Sequence, residues 1–404
     1  MVAVDIARVR GLYPTLAART AQLDGSFAAL TPESVVRAII ATLRSAPAQP
    51  GSRSTRSQQS ATRVLRARRA AADLVGGEPD DVILGSSTVS LMLRFASLLS
   101  SDWQLGDELV LNRLDADVVA RPWQRIARAA GAAVRWAEVD LETGELPTWQ
   151  YDKLIGRHTR VVTVPLGNPA TGTVPDVAAI AELAHAKGAL VVVDAGAAPA
   201  HLTLDLDLLG ADLVAVAAPS FGGPTVAALV ARPGLFGEMQ GGPDDIVAPD
   251  SFEIPPLPVE LLDGFTAAVD HLAALDETAT GTRRERLAAS ISASGRYTRE
   301  LYERLDAGLR SLPGVTVLGA ADRAVPTVAF TVDNTPPPEV GAFLHRRDVS
   351  VWTGPAGLGE LLAAFGVDEV GGAVFAGVMP YTSRSEIAQL LEALRELTRP
   401  GSRR

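Results

Sequence analysis

The sequence predicts an α/β protein with a large, doubly wound, mainly parallel sheet domain followed by a smaller C-terminal α/β domain. Three observations carry that prediction. Short uninterrupted apolar runs, such as Val191-Val192-Val193 ending in Asp194 and the run from Leu213 to Ala217, have the character of strands covered on both faces. They alternate with stretches of helical periodicity, the order expected of parallel strands joined by helical crossovers. A chain of 404 residues with 47% hydrophobic content is also long enough to bury one large core and a second, smaller one. The expected division is an N-terminal segment at 1–22 packing with the small domain, a large domain at 23–275 and a small domain at 276–404.

Composition sets outer limits. The net charge of -10 argues against nucleic acid as a bulk electrostatic partner, and the terminal RPGSRR reads as a solvated tail. No run of about 18 uninterrupted apolar residues is present, and the start, MVAVDIARVR, lacks a basic region followed by an apolar core. A soluble, cytoplasmic protein without membrane contact is therefore expected. The chain has no cysteine, which excludes disulfides, thiolate metal sites and a thiol nucleophile; no metal site is predicted. Lys153 and Lys187 are the only lysines among 37 basic residues. Lys153 belongs to a helix-like segment with a polar face, and Lys187 to the last turn of a helix, where a cation complements the dipole.

Taken in order, the chain opens with a short helix over Ile6 to Leu12 and an extended lead-in to Leu23-Asp24-Gly25. Thr31 is expected to cap a helix with Pro32 at its first position, running to about Arg44. Ser45 to Ser60, rich in Ser, Arg, Pro and Gly, is expected to be a mobile loop. A long helix from Ala61 to Val75 then closes at Gly76-Gly77. The strand Val82-Ile83-Leu84 leads through Gly85 to Ser90 into a helix from Leu91 to Ser100; such a turn offers free amides to a phosphate, or merely caps the helix. Between Gly106 and Asp140 the pattern gives a strand, a turn, a helix opening at Pro122-Trp123, and a strand over Ala133 to Ala137. Arg160 to Leu166 forms the next strand and ends in the turn Gly167-Asn168-Pro169-Ala170-Thr171-Gly172-Thr173. The two strands first mentioned follow, so that Asp194 and Ser220 reach one rim of the sheet. In open α/β sheets that rim binds ligands. Helices over 259–275 and Glu277 to Arg310 lead to the C-terminal strands Val315 to Leu318, Thr327 to Val332, Val349 to Trp352 and Val374 to Val378. Helices at Pro338 to Arg346 and Ser383 to Leu397 complete that domain.

Asp194 with its small-residue run and His201, Leu209-Gly210-Ala211-Asp212, the strand after it and Gly223-Pro224-Thr225 together resemble the class V aminotransferase and cysteine desulfurase family. Gly106 to Asp140, the Asn168 to Thr173 turn and the stretch from Gly237 to Leu257 extend the likeness over essentially the whole chain. The resemblance implies a fold-type I enzyme dependent on pyridoxal phosphate, with a cofactor pocket and a homodimeric assembly. It also implies a Schiff-base lysine five residues before Thr225, where this chain has Ser220 preceded by Pro219.

Other positions of that implied pocket have changed too. The ring-stacking histidine falls on Ala116, and the ring-contacting glutamine or histidine on Ala197. The Thr-Glu pair of the phosphate turn falls on Val89 and Ser90, leaving Ser86, Ser87 and Thr88 as hydroxyl donors. The phosphate threonine of the neighbouring subunit falls on Pro256, beside Pro255, and the substrate-carboxylate arginine on Phe375. Asn168 and Asp194 are kept, either as contacts to the cofactor ring or as residues holding their own turns through backbone amides. Arg53 and Arg56 either meet an anion near the site or belong to a solvated loop.

These losses touch covalent attachment, stacking, phosphate and substrate separately. The expectation is a catalytically degenerate homodimer without bound cofactor, acting as a binding, scaffold or regulatory protein for a protein partner or small-molecule ligand. The alternatives are a partner role beside an active paralogue, and an enzyme whose reshaped pocket uses Asp194, Asn168, Ser220 or His201 on a small molecule without lysine-linked cofactor.

Overall fold

The structure, a computed structural model, describes residues 5–239 and 249–399. Part of the stretch from Gly237 to Leu257 and nearly all of the terminal tail lie outside the described residues. The strands are β1 (Ala21–Gln22), β2 (Val82–Gly85), β3 (Glu108–Asn112), β4 (Ala133–Ala137), β5 (Thr159–Pro165), β6 (Leu190–Asp194) and β7 (Leu213–Ala217). They continue with β8 (Ala227–Ala231), β9 (Val315–Val317), β10 (Thr327–Val332), β11 (Val349–Ser350), β12 (Trp352–Gly354) and β13 (Ala373–Gly377). The helices of the first half are α1 (Ile6–Gly11), α2 (Glu33–Arg44), α3 (Thr55–Val75), α4 (Thr88–Leu99), α5 (Asp117–Ala130), α6 (Trp149–Leu154) and α7 (Val177–His185). Those of the second half are α8 (Leu206–Leu209), α9 (Leu235–Glu238), α10 (Val259–Ala273), α11 (Arg283–Arg310), α12 (Pro337–His345), α13 (Gly359–Ala364) and α14 (Arg384–Thr398).

The apolar runs are continuous because both faces of their sheet are covered. Val162, Val164, Val191, Val193, Val214 and Val216 point into one buried cluster with residues of α3, α7 and α10. Their neighbours Val161, Val192, Leu213 and Ala215 point into another with residues of α4 and α5. Successive side chains of a strand face opposite ways, so both rows are mainly apolar, and the buried Thr163 of β5 donates its hydroxyl to Asp115 Oδ2. The resulting sheet has seven strands in the order β2-β8-β7-β6-β5-β3-β4. Only β8 opposes its neighbours; β3 to β7 pair in parallel.

A second, four-stranded antiparallel sheet has the order β12-β13-β10-β9. Phe330, Val374 and Ala376 of this sheet pack with Leu301 and Leu305 of α11 and with Ile387, Leu390 and Leu394 of α14. The N-terminal segment is shared: β1 pairs with β11 and Ala21 and Leu23 enter the small sheet's core. Val9 and Tyr13 instead join the main core, where Tyr13 Oη lies 2.7 Å from His271 Nε2.

Several expected boundaries are corrected. Helix α2 starts at Glu33 with Pro32, not Thr31, in the cap position; the Glu33 amide donates to Leu12 O instead. The expected loop ends at Ser54, whose hydroxyl accepts from the Ser57 amide and starts α3 at Thr55. Ser57 Oγ donates to Gln49 O, fixing the loop from the helix side. Ser87 caps α4 and brings its start to Thr88. Pro122 lies inside α5 rather than opening it, since that helix begins at Asp117. Helix α11 begins at Arg283, not Glu277, because Thr282 and Glu285 form a reciprocal capping box. The single strand expected from Val349 to Trp352 is two, with β11 and β12 in different sheets. Lys187 lies beyond the end of α7 and not in its last turn.

Candidate functional site

The parallel strands β3, β5, β6 and β7 end on one rim, and the segments after them enclose a cavity of about 150 Å³. Of the positions singled out in the sequence, Ala116, Asn168, Asp194, Ala197, Pro219 and Ser220 line it together. Ser26 and Phe27, which follow Leu23 on the N-terminal segment, close it from the other side. This segment is tied to the rim by the Ala29 amide donating to Pro219 O at 2.8 Å.

The polar groups here are mostly committed to their own turns. Asn168 Nδ2 donates to Leu114 O at 2.7 Å, while its Oδ1 accepts from the amides of Ala170 and Thr171 at 2.8 and 2.9 Å. Ser220 Oγ donates back to Ala217 O at 2.8 Å. Asp194 Oδ1 accepts from the Gly196 amide at 3.1 Å. Desolvation pushes the Asp194 carboxyl up to about 6, against the lowering effect of that amide.

Beneath the rim lies a residue that the sequence reading missed. Asp115, 2% exposed, accepts through Oδ2 from Asn112 Nδ2 and Thr163 Oγ1, each at 2.8 Å. Its Oδ1 is buried without a partner. Burial, and then the charge of Asp194, push its carboxyl up to about 7. The hydroxyl of Tyr151 is also buried and unpartnered, and it is raised well above its ordinary range by burial and by Asp115. The signal in the sequence was an Asn-x-x-Asp turn closing an apolar strand, at Asn112 to Asp115.

The remaining predicted positions do not line the cavity. Ser87 Oγ accepts from the Ser90 amide and donates to Ser90 Oγ, so this hydroxyl serves its own helix; Thr88 is the first residue of that helix. Pro256 lies exposed on the segment before α10. Phe375 is fully buried in β13 and packs against Phe27 of the cavity wall, edge to face with centroids 5.3 Å apart. His201 stands on the far side of Ser220, beside a water-sized space that both line. Its Nδ1 is unpartnered and burial lowers its pKa to about 4. Arg53 and Arg56 are exposed, and Arg56 reaches only Ala46 O. Asp212 supports the sheet, accepting from the Val191 amide and pairing with His185 and Arg232.

Neither lysine lines the cavity. Lys153, on α6, lies over the ring of Trp149, and Lys187 is exposed after α7. Among the described residues, neither Lys nor Arg stands on the cavity wall to meet a phosphate. Among the described residues, no group of three or more His, Asp or Glu is arranged to hold a metal ion, and no helix is long and apolar enough to cross a membrane.

The family model for aminotransferase class-V matches residues 22–390. An uncharacterised protein of Mycobacterium tuberculosis is 38% identical, over 98% of this chain and 100% of that one. A probable cysteine desulfurase of Mycolicibacterium paratuberculosis is 28% identical over 83% of this chain and 49% of its own length, so the chain spans about half of that relative. The apo structure of a cysteine desulfurase from Thermococcus onnurineus superposes with a TM-score of 0.86 at 22% identity, covering 98% and 99% of the two chains. The fold is therefore that of fold-type I enzymes of the cysteine desulfurase kind.

Proposed function

We propose that this chain, which belongs to the aminotransferase class-V family, forms no Schiff base with pyridoxal phosphate and works as a cytoplasmic binding or regulatory homodimer. The observation that carries this reading is Ser220 at the end of the turn after β7, with its hydroxyl turned back onto Ala217 O. Covalent attachment needs an amine at the cavity, and the two lysines of the chain are elsewhere on the surface. The unoccupied roles of Ala116, Ala197, Pro256 and Phe375 support the same reading. Lost charged or phosphate contacts at roughly 1.5–3 kcal/mol each amount to several decades of affinity, at about 1.4 kcal/mol per decade.

Purified protein mixed with equimolar pyridoxal phosphate tests the proposal by visible absorbance. The spectrum of the free aldehyde is expected, unchanged on mixing. A stable protonated-aldimine band that survives gel filtration refutes the reading.

A second reading, an enzyme acting on a small molecule without lysine-linked cofactor, is favoured by one observation. Asp194 faces an open cavity with its carboxyl raised to about 6, and carboxyls so perturbed in clefts are candidates for acid–base work. A metabolite screen by thermal denaturation separates the two: turnover of a specific stabilising compound supports the enzyme, and stabilisation without turnover the binding protein.

A further inference from the structure

Among the described residues, Asp194 is the only ionisable side chain that lines the 150 Å³ cavity. Asp115 lies close enough behind the wall to feel the charge of Asp194, and one of its oxygens is buried without a partner. A desolvated carboxylate is costly unless a counter-charge stands beside it. Among the described residues, no lysine, arginine or histidine of the wall supplies one. The rest of the wall is mostly apolar, with the ring of Phe27, Leu114, Pro165 and Pro219, and its neutral polar side chains are bonded elsewhere: Asn168 to Leu114 O, Ser220 to Ala217 O and Ser26 to Thr327 Oγ1. Such a lining offers an apolar bed, an aromatic ring and a single acceptor of negative sign. Phosphates and carboxylates meet repulsion there and no donor cation.

We propose that this cavity binds a small organic cation, a primary ammonium or amidinium of about six heavy atoms, through charge-assisted hydrogen bonds to Asp194. The size follows from volume, since an apolar protein cavity of about 150 Å³ holds a benzene-sized molecule. The sign follows from Asp194 and Asp115 together. The ring of Phe27 adds attraction for the cation, and the apolar wall takes up its carbon body. The proposal rests on the reading above that no aldehyde cofactor is fixed at this rim, and it names the ligand class for that reading.

The test uses the full chain and three probes of similar size: n-butylammonium chloride, 1-butanol and sodium butyrate. Thermal denaturation and calorimetric titration are run at matched ionic strength. A saturable stabilisation is expected from n-butylammonium, with none from 1-butanol or butyrate. Asp194→Asn is expected to weaken n-butylammonium at least tenfold. Ala116→Leu keeps the charge but fills the cavity, is expected to do the same, and serves if the first variant does not fold. Butyrate binding as tightly as n-butylammonium overturns the proposal. So does undiminished affinity in both variants, or no saturable response to n-butylammonium in the wild type. An aldimine band with pyridoxal phosphate sinks the underlying reading, whereas failure of n-butylammonium without that band sinks only the ligand class.

Discussion

The two carboxyls at the rim give the residue scale its sharpest consequence. Asp115 and Asp194 are raised to about 7 and about 6 in the folded chain, while unfolded carboxyls titrate near 4. Between those limits the native state holds protons that the unfolded state has released. Stability from this pair is therefore present at acid pH and lost as pH rises from about 4 to about 7. Asp115→Asn removes one buried charge, and it is expected to stabilise the protein by about 1–3 kcal/mol at pH 8 with a smaller gain at pH 5. Denaturant midpoints at the two pH values measure this, and an equal effect at both contradicts it. His201 and His271 work in the opposite direction. Burial lowers both to about 4, so their contribution is lost as pH falls from about 6.5 to about 4. Of these residues, Asp194 and Asn168 were legible in the sequence because they end apolar strands in recognisable turns. Asp115 was missed, because the Asn112 to Asp115 turn that signals it does not by itself say that the carboxyl is buried beneath the rim.

At the element scale, strands were easier to read than helix starts. An apolar run covered on both faces leaves a continuous signal, and β5, β6 and β7 lie where that signal places them. A helix start depends on which hydroxyl takes a free amide, and Ser54, Ser87 and Thr282 each did so away from the expected residue. The Thr282 box is exposed, so Thr282→Ala is expected to cost about 1 kcal/mol by chemical denaturation, and no change would contradict the capping role. Phe375 is fully buried in the packing of β13. Phe375→Ala is expected to cost about 3–5 kcal/mol. Phe375→Arg is expected to unfold the chain, because it buries a cation with no partner; a folded, stable Phe375→Arg protein would show that the position still opens toward the cavity.

For the whole molecule, the architecture of the family is retained, and on the reading proposed here its rim serves as a cavity with one carboxylate and not as a site for an anionic cofactor. The succession of β5, β6 and β7 along the chain was legible because burial on both faces is written over many residues, whereas β8, which opposes its neighbours, was not read. The contents of the cavity were legible only as departures at single positions, and its charge emerged when Asp115 was placed behind Asp194. The homodimer proposed here predicts a mass in solution near twice that of one chain by light scattering; a monomer at micromolar concentration contradicts it. The most direct measurement on the central claim is borohydride reduction of the protein in equimolar pyridoxal phosphate, followed by intact-mass analysis and peptide mapping. The unmodified mass is expected. One stoichiometric phosphopyridoxyl adduct per chain, mapped to Lys153 or Lys187, would contradict the account.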